Sequence, residues 1–285
     1  MSASHCAYSD ESHWNTGRYR SIALVTASHQ VADSLQTELQ KNLTDSGVSE
    51  LKWTKVSDAK HRFTAKKFLD SSFAFIDKEL LRFDILTWDI EDSRHAIQGR
   101  DDQENLSIMY WHLLQNVLKK RWPEDLTWDI CPENHPAVDW EKLQLHLDRK
   151  STDLLLEPDN PSPDEWDITK RNYFNIVNLS PLGSEDEPLI QLADLLAGLG
   201  NYSRSQYDMY LEWRDHNNKS TPDDLSNSQQ ERFNVIRYLK MQCEDRKLQV
   251  SLEQNGGLRS YQPSKPVNFW FWRPQHPDDT APIRS

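Results

Sequence analysis

The chain has 285 residues, a formal net charge of -12 and a hydrophobic fraction of 36%, with 11 Trp, 9 Tyr and 9 Phe. This composition predicts a folded, soluble protein in which large aromatic side chains supply much of the core. No apolar run is long enough to cross a bilayer, and the N-terminus lacks the basic and apolar regions of a signal peptide. The net charge disfavours a nucleic-acid ligand unless basic residues are concentrated locally, as they are in segments 52–67 and 118–122.

The reactive side chains exclude several classes of protein. Cys6, Cys131 and Cys243 are widely spaced, which argues against a disulfide framework or a cysteine zinc site and predicts a reducing, cytoplasmic location. The ten histidines form no HExxH or HxH motif. GxSxG, GxxxxGK[ST] and GxGxxG are also missing from the sequence, so serine hydrolases, P-loop proteins and dinucleotide-binding proteins have little support.

Hydrophobic periodicity predicts alternating strands and helices. The predicted elements of the first half are strands 5–12 and 21–28, helix 30–46 ended by Gly47, helix 58–82, strand 83–91, helix 104–122 and strand 126–133. Helical and strand periods conflict at 140–147, and the proline-rich stretch 157–170 predicts a loop. The second half predicts strand 172–180, helix 188–214, helix 227–246 and an extended tail from residue 266. In helix 58–82, the side chains expected on the buried face are Phe63, Phe68, Phe75, Ile76 and Leu80.

This order predicts a mixed α/β sheet with flanking helices. The expected organisation is one domain over residues 1–205, with a helical insertion at about 29–82, and a helical and extended C-terminal extension over 206–285. The extension is expected to pack on the same domain.

Two acidic positions interrupt apolar patterns. Asp10 and Glu11 stand at the end of the first strand, where open α/β sheets commonly place their functional groups. Asp194 lies within the apolar helical segment LIQLADLLAGL, although the helix dipole is an equally good explanation for an acid in that half of the helix. Carboxylates are the ligands that Mg²⁺ or Mn²⁺ prefers, and two such ions can clamp a phosphodiester.

Three further acids are less distinctive. Asp129 and Glu133 share one face of the strand LTWDICPE with Cys131, a pattern that a half-solvated strand would also produce. Glu50, in SELKW, resembles an ordinary surface acid when its chemistry alone is considered.

Several motifs together resemble the domain of unknown function 3800 family, a branch of the ribonuclease H-like superfamily. They are AYSDES at 7–12, PLIQLADLLAGLGNYSRSQYDMYLEW at 188–213, SELKW at 49–53, WDICPENHPAVDW at 128–140, VSLEQNGGL at 250–258 and PVNFWFWRPQHPDDTAP at 266–282. The resemblance covers nearly the whole chain, and the pairing of QLADLLAG with an N-terminal DES is its most specific part. It implies a ribonuclease H-like mixed sheet with a helical insertion after the first hairpin.

The resemblance also implies a nuclease that depends on Mg²⁺ or Mn²⁺ and hydrolyses DNA or RNA to leave a 5′-phosphate and a 3′-hydroxyl. It implies that Asp10 and Asp194 are metal ligands and catalytic residues. The third ligand is either Asp129 or Glu133, and the sequence does not choose between them. Glu50 matches a catalytic glutamate, and the nearby Lys52 is expected to contact a phosphate. The alternatives for a shifted strand register are Asp148 and Glu104.

The chain departs from the family pattern at two places, because His13 replaces a common glycine and Glu133 stands where an aspartate is usual. Two other hypotheses therefore stay open at this stage. One is an inactive ribonuclease H-like module that binds a protein, a second copy of itself or a nucleic acid, with NFWFWRP as a candidate interface. The other is a metal-dependent phosphatase or nucleotide hydrolase, which would need a closed pocket instead of an open groove.

Overall fold

The computed structural model describes residues 2–91, 101–135, 139–145, 147, 174–216, 225–253 and 256–273. Its strands are β1 (His5–Ser12), β2 (Tyr19–Ser28), β3 (Leu81–Asp89), β4 (Trp128–Pro132), β5 (Ile176–Leu179), β6 (Val250–Ser251), β7 (Arg259–Ser260) and β8 (Val267–Phe271). Its helices are α1 (His29–Ser46), α2 (Ala59–Ile76), α3 (Asp102–Leu118), α4 (Pro188–Ser205), α5 (Tyr207–His216) and α6 (Asn227–Asp245), with a 3₁₀ turn at Trp53–Lys55. No described helix has the length and apolar character needed to span a membrane.

The main sheet has six strands in the order β5-β4-β1-β2-β3-β8. Strand β2 runs antiparallel to its neighbours β1 and β3, whereas β1–β4, β4–β5 and β3–β8 are parallel pairs. The first five strands in sequence therefore have the order and directions of a ribonuclease H-like sheet, and β8 is added at one edge. The predicted mixed α/β fold class is confirmed.

Alternation along the strands divides the apolar side chains between two cores. One face, which includes Tyr8, Ala23 and Ile85, is covered by α4 and by the layer of α1, α2 and α6. The opposite face, which includes Leu24 and Leu86, is covered by α3. The sheet is therefore buried on both sides, which explains why its central strands are almost continuously apolar.

Helix α1 begins and ends as its sequence predicts. The Ser28 side chain accepts a hydrogen bond from the Val31 amide at the N-terminus. At the C-terminus, Gly47 has φ 63° and its N–H bonds to the carbonyls of Leu43 and Thr44.

Helix α2 was predicted to reach residue 82, but it ends at Ile76, and β3 starts two residues earlier than expected. The left-handed residue that follows the helix is Glu79, at φ 59°, so no glycine marks the end. The predicted buried face was also wrong at two positions, because Phe63 is 55% exposed and Leu80 is 42% exposed.

Other helix ends differ from the predicted ones, because local capping contacts set them more strongly than the spacing of apolar residues. Asp101 caps α3, which therefore starts at Asp102. The predicted helix 188–214 is two helices that meet at Gln206. Residues 140–145 are helical, whereas the proline-rich segment 157–170 lies outside the described residues. The capping box of Ser226 and Gln229 opens α6.

The C-terminal strand β8 is tied to the sheet by a buried ion-pair network. Asp84 on β3 is fully buried and is paired with Arg121, and the Arg82 guanidinium lies 3.6 Å from its carboxylate. The guanidinium of Arg121 also stacks over the ring of Trp270 on β8, 3.8 Å from its centroid. The arginine of segment 118–122 is thus enclosed in the protein and is not part of an external basic surface.

Helix α4 approaches the segment before α2 very closely. A Cβ placed on Gly198 would lie 2.6 Å from the Cβ of Trp53, whose side chain is almost fully buried. Such a distance is well below a normal carbon–carbon contact, so the packing requires a residue without a side chain here.

We expect Gly198→Ala to lower the free energy of unfolding by about 1–3 kcal/mol, because the added methyl group overpacks the contact with Trp53. This loss would occur even though alanine is the better helix former by about 1 kcal/mol. The measurement is urea unfolding followed by tryptophan fluorescence. Gly183→Ala is the matched control, since no atom lies within 4 Å of a Cβ at that position. Equal stability of the two variants would contradict the packing argument.

Candidate functional site

Three acids from separate parts of the chain meet at one end of the sheet. Asp10 is near the end of β1, and Glu133 directly follows β4. The Glu133 amide donates to the Ser9 carbonyl over 2.8 Å, which sets Glu133 beside Asp10. Asp194 comes from α4, which packs across β1 and β2. The three carboxyl groups are close enough to perturb one another's ionisation.

Burial and mutual repulsion oppose ionisation of this cluster. Burial raises the pKa of Asp10 well above its ordinary value, and the charges of Asp194, Glu133 and Glu11 add to the effect. A hydrogen bond between Asp10 and Glu133 also favours the protonated form of Asp10. Burial raises the pKa of Asp194 to about 7, in spite of a hydrogen bond from the Trp53 amide.

Glu11 belongs to the same end of the sheet and has a dedicated partner. The hydroxyl of Tyr110, on α3, donates to the Glu11 carboxylate and lies 3.0 Å from the hydroxyl oxygen of Ser9. Burial raises the pKa of Glu11 to about 7, with the charge of Glu133 acting in the same direction. The sequence suggested only that Glu11 was a neighbour of Asp10, and nothing in the helical period of α3 singled out Tyr110.

The segment 49–56 is held against α4 by two backbone hydrogen bonds. The Leu51 amide donates to Gln191 Oε1 over 2.8 Å, and the Trp53 amide donates to Asp194 Oδ2 over 2.5 Å. Gln191 in turn donates to the Ser184 carbonyl over 2.8 Å. This segment therefore carries Glu50 and Lys52 to the acidic cluster from outside the sheet.

Glu50 and Lys52 are joined to the cluster by ion pairs. The ammonium of Lys52 lies 3.4 Å from Glu50 and 3.5 Å from Glu133. Burial opposes ionisation of Glu50, but hydrogen bonds from Lys55 at 2.6 Å and Ser184 at 3.0 Å hold its pKa below the usual value. The pKa of Lys52 is raised because the charges of Glu133 and Glu50 outweigh its burial. Lys52 is thus a cation at neutral pH.

The strand register separates the two acids between which the sequence could not choose. Asp129 is level with Cys6, whereas Glu133 follows the residue paired with Ser9. At about 3.3 Å of rise per residue, this puts the two acids about 13 Å apart along the strand. Asp129 instead lies 3.1 Å from His29 and accepts a hydrogen bond from Asn178 over 2.7 Å. The structure thus brings Glu133, and not Asp129, to Asp10.

Of the two alternative acids, the structure describes Glu104 alone, and this residue is not part of the cluster. Glu104 lies in the first turn of α3, where its carboxylate is 4.0 Å from the Lys142 ammonium. Asp148 lies outside the described residues. His13, which follows Ser12, has a left-handed backbone with φ 57°, a conformation that glycine adopts more readily than other residues.

The donor set of the cluster suits a hard divalent cation. Asp10, Glu133 and Asp194 offer only carboxylate oxygens, the ligand type of Mg²⁺ and Mn²⁺. The raised pKa values of Asp10 and Asp194, caused by burial and by neighbouring carboxylates, mean that positive charge bound here would favour their ionised forms. Within the described residues, no three His, Cys, Asp or Glu side chains are already arranged around a common point as metal ligands.

Sequence reasoning missed the residues that support the cluster. Tyr110, Ser184 and Gln191 act through contacts between segments that are far apart in the chain, so no local pattern marks them. Gln191 had one available signal, because it lies three residues before Asp194 and therefore on the same helical face.

Comparisons with known proteins identify close relatives that extend over the whole chain. The chain is 35% identical over 292 aligned positions to the uncharacterized protein ORF2' of Methanothermobacter thermautotrophicus, and the alignment covers 97% of each chain. The uncharacterized protein ORF2 of the same organism is also 35% identical, with the same coverage. No family model matches the chain.

Among solved structures, a chain in the PCNA:RNase HII complex from Archaeoglobus fulgidus aligns with 96% of this chain and 98% of its own length. The identity is 16% and the TM-score is 0.40, so the fold assignment rests on the strand order and not on this similarity. The identity and coverage shared with ORF2' and ORF2 show that the chain belongs to the family of these two uncharacterized archaeal proteins.

Proposed function

We propose that this protein is a divalent-metal-dependent nuclease that hydrolyses phosphodiester bonds of DNA or RNA. We also propose that its family is part of the domain of unknown function 3800 group. The observation that supports the activity is the convergence of Asp10, Glu133 and Asp194 at one end of a ribonuclease H-like sheet. Buried acids that repel one another are unfavourable for folding, and such arrangements are typical of functional sites.

Each residue of the site has a distinct role in this proposal. Asp10, Glu133 and Asp194 would hold Mg²⁺ or Mn²⁺, which when bound supplies positive charge to the phosphate and favours deprotonation of an attacking water. Lys52 would neutralise a phosphate oxygen of the substrate, a role supported by its position 3.5 Å from Glu133 and by its more exposed side chain. Glu50 accepts hydrogen bonds from Lys55 and Ser184, so its fixed carboxylate is suited to orienting the water.

The Glu11–Tyr110 pair supports the site from the opposite side of the sheet. Glu11 is adjacent to Asp10 in the chain, and its amide donates to Asp10 Oδ1 over 2.6 Å. The bond from Tyr110 fixes the Glu11 side chain and so restricts the backbone that carries Asp10. Glu11 is therefore placed to position Asp10.

Asp10→Asn and Asp194→Asn should each remove Mn²⁺ binding and lower the rate of metal-dependent cleavage by about 100-fold or more, because each removes a charged ligand. Mn²⁺ titration by calorimetry and cleavage of labelled DNA and RNA would measure the two effects. Asp129→Asn is the matched control, since it makes the same change on β4 outside the cluster. If both cluster variants bound Mn²⁺ as tightly as the wild type, the proposed metal centre would be wrong.

Without divalent metal, the site should make the protein less stable as the pH rises from about 4 to 7. Asp194 has a raised pKa in the folded state, so the folded chain binds more protons than the unfolded chain in this range. The associated stability is fully present below the unfolded pKa and is lost as the pH rises through about 7. Asp194→Asn should therefore be more stable than the wild type at pH 8, by about 1 kcal/mol or more, and equally stable near pH 3.

Urea unfolding across this pH range in the presence of a chelator would test the effect, with Asp129→Asn again as the control. Adding Mn²⁺ should reverse the order at pH 8, because a ligand that binds only the folded wild type stabilises it. Parallel pH profiles of stability for Asp194→Asn and the wild type would contradict the raised pKa of Asp194.

A further inference from the structure

A groove between α2 and α6 concentrates positive charge on this otherwise acidic protein. It has a volume of about 600 Å³, and we define this α2–α6 groove by Lys60, Phe63, Lys66, Lys67 and Tyr238. Four of these residues belong to segment 52–67, one of the two basic segments of the sequence. In the other basic segment, 118–122, the arginine is enclosed by the network of Asp84.

The lysines of the groove are not neutralised by ion pairs. Across the described parts of the chain, no carboxylate lies within 4.0 Å of the ammonium groups of Lys60, Lys66 or Lys67. Asp70 also lines the groove, and it accepts from the Tyr238 hydroxyl. The other nearby acids are paired with other cations, because Glu231 lies 2.6 Å from Arg62 and Asp45 lies 2.5 Å from Lys41.

Lys66 has other cations close to it. Burial is the main cause that lowers the pKa of Lys66, and the charges of Arg62 and Arg237 act in the same direction, while Glu231 and Asp70 act in the opposite direction. A polyanion that entered the groove would reduce the repulsion between Lys66 and the two arginines.

An exposed aromatic ring stands among these cations. Phe63 is 55% exposed although it is a large apolar side chain, and the Arg62 guanidinium lies 4.6 Å from its ring centroid. The Lys66 ammonium lies 4.9 Å from the ring centroid of Tyr238. Cations interleaved with an accessible ring are the combination used to bind a phosphate backbone and stack a base.

The groove is connected to the acidic cluster by a short stretch of chain. Lys60 belongs to α2, and its side chain reaches the end of α1, where its Nζ would be 3.8 Å from a Cβ on Gly47. Three residues after Gly47, the segment 49–56 delivers Glu50 and then Lys52 to the cluster. The Lys67 ammonium reaches the same place, because it donates to Ser46 Oγ over 3.3 Å. The charges of Lys60 and Lys67 therefore lie together at the end of α1, close in the chain to Glu50.

We propose that the α2–α6 groove binds the phosphodiester backbone of the nucleic-acid substrate outside the position of cleavage. This inference rests on the proposed nuclease function and adds to it a second place of contact with the substrate backbone. It also explains how a protein with net charge -12 can bind a polyanion, because the contacts are confined to one group of lysines.

The test is a triple variant, Lys60→Gln, Lys66→Gln and Lys67→Gln, prepared in the Asp10→Asn background so that substrate is not cleaved. Binding of labelled DNA and RNA is measured by fluorescence anisotropy at several salt concentrations. We expect the affinity to fall about 10-fold or more and the slope of log affinity against log salt to become about 2–3 smaller, one phosphate contact per lysine. Phe63→Ala should weaken binding of single strands about 5-fold.

The matched control is Lys78→Gln, Lys120→Gln and Lys265→Gln, which makes the same change in net charge outside the groove. If both triple variants lost the same affinity, the loss would reflect net charge alone, and the proposed role of the groove would be overturned. If the wild type cleaves DNA or RNA with Mn²⁺ but the groove variant binds normally, the groove is refuted and the nuclease stands. If the wild type neither binds nor cleaves either polymer, both proposals fail. Polyglutamate serves as a model of an acidic protein partner. If the wild type binds polyglutamate but no nucleic acid, and the groove variant loses that binding, the groove is a protein-docking surface and the proposal is overturned.

Discussion

One face of α4 controls the construction of the site. Gln191, Asp194 and Gly198 are separated by three and four residues, so they project from the same side of the helix. Gln191 and Asp194 accept the backbone amides of the segment 49–56, and Gly198 leaves space for the ring of Trp53. The same face therefore supplies an acid to the cluster and holds the segment that brings Glu50 and Lys52. If α4 moved relative to the sheet, both halves of the site would be displaced together.

The rest of the fold compensates for an unfavourable cluster of charges. Burial and repulsion raise the pKa values of Asp10, Glu11 and Asp194, which means that their charged forms destabilise the folded chain. The sheet that carries them is buried on both faces, and its continuous apolar core holds the carboxyl groups close in spite of the repulsion. Under the proposed function, the protein gives up stability in return for a site that binds a cation.

The distribution of charge matters more than its sum. Both basic segments, 52–67 and 118–122, are candidates for an external basic surface in the sequence, but the structure gives their cations different environments. Arg121 pairs with buried Asp84 and helps to fix β8 to the sheet, whereas Lys60, Lys66 and Lys67 line an accessible groove. The net charge of -12 describes neither environment. Ion pairs between distant segments decide which cations are left to meet a ligand, and those pairs depend on the fold.

The sequence by itself determined most of the elements and the mixed α/β class, because apolar periods and local caps such as Ser28 and Gly47 act within one segment. It also singled out Asp10 and Asp194 as acids in apolar surroundings. Only the tertiary structure chose Glu133 over Asp129, since that choice follows from the register of β4 against β1. The contact between Tyr110 and Glu11 and the position of β8 at the sheet edge are also visible only in the tertiary structure. These features depend on contacts between residues far apart in the chain, and a periodic pattern in one segment carries no information about its partner's register.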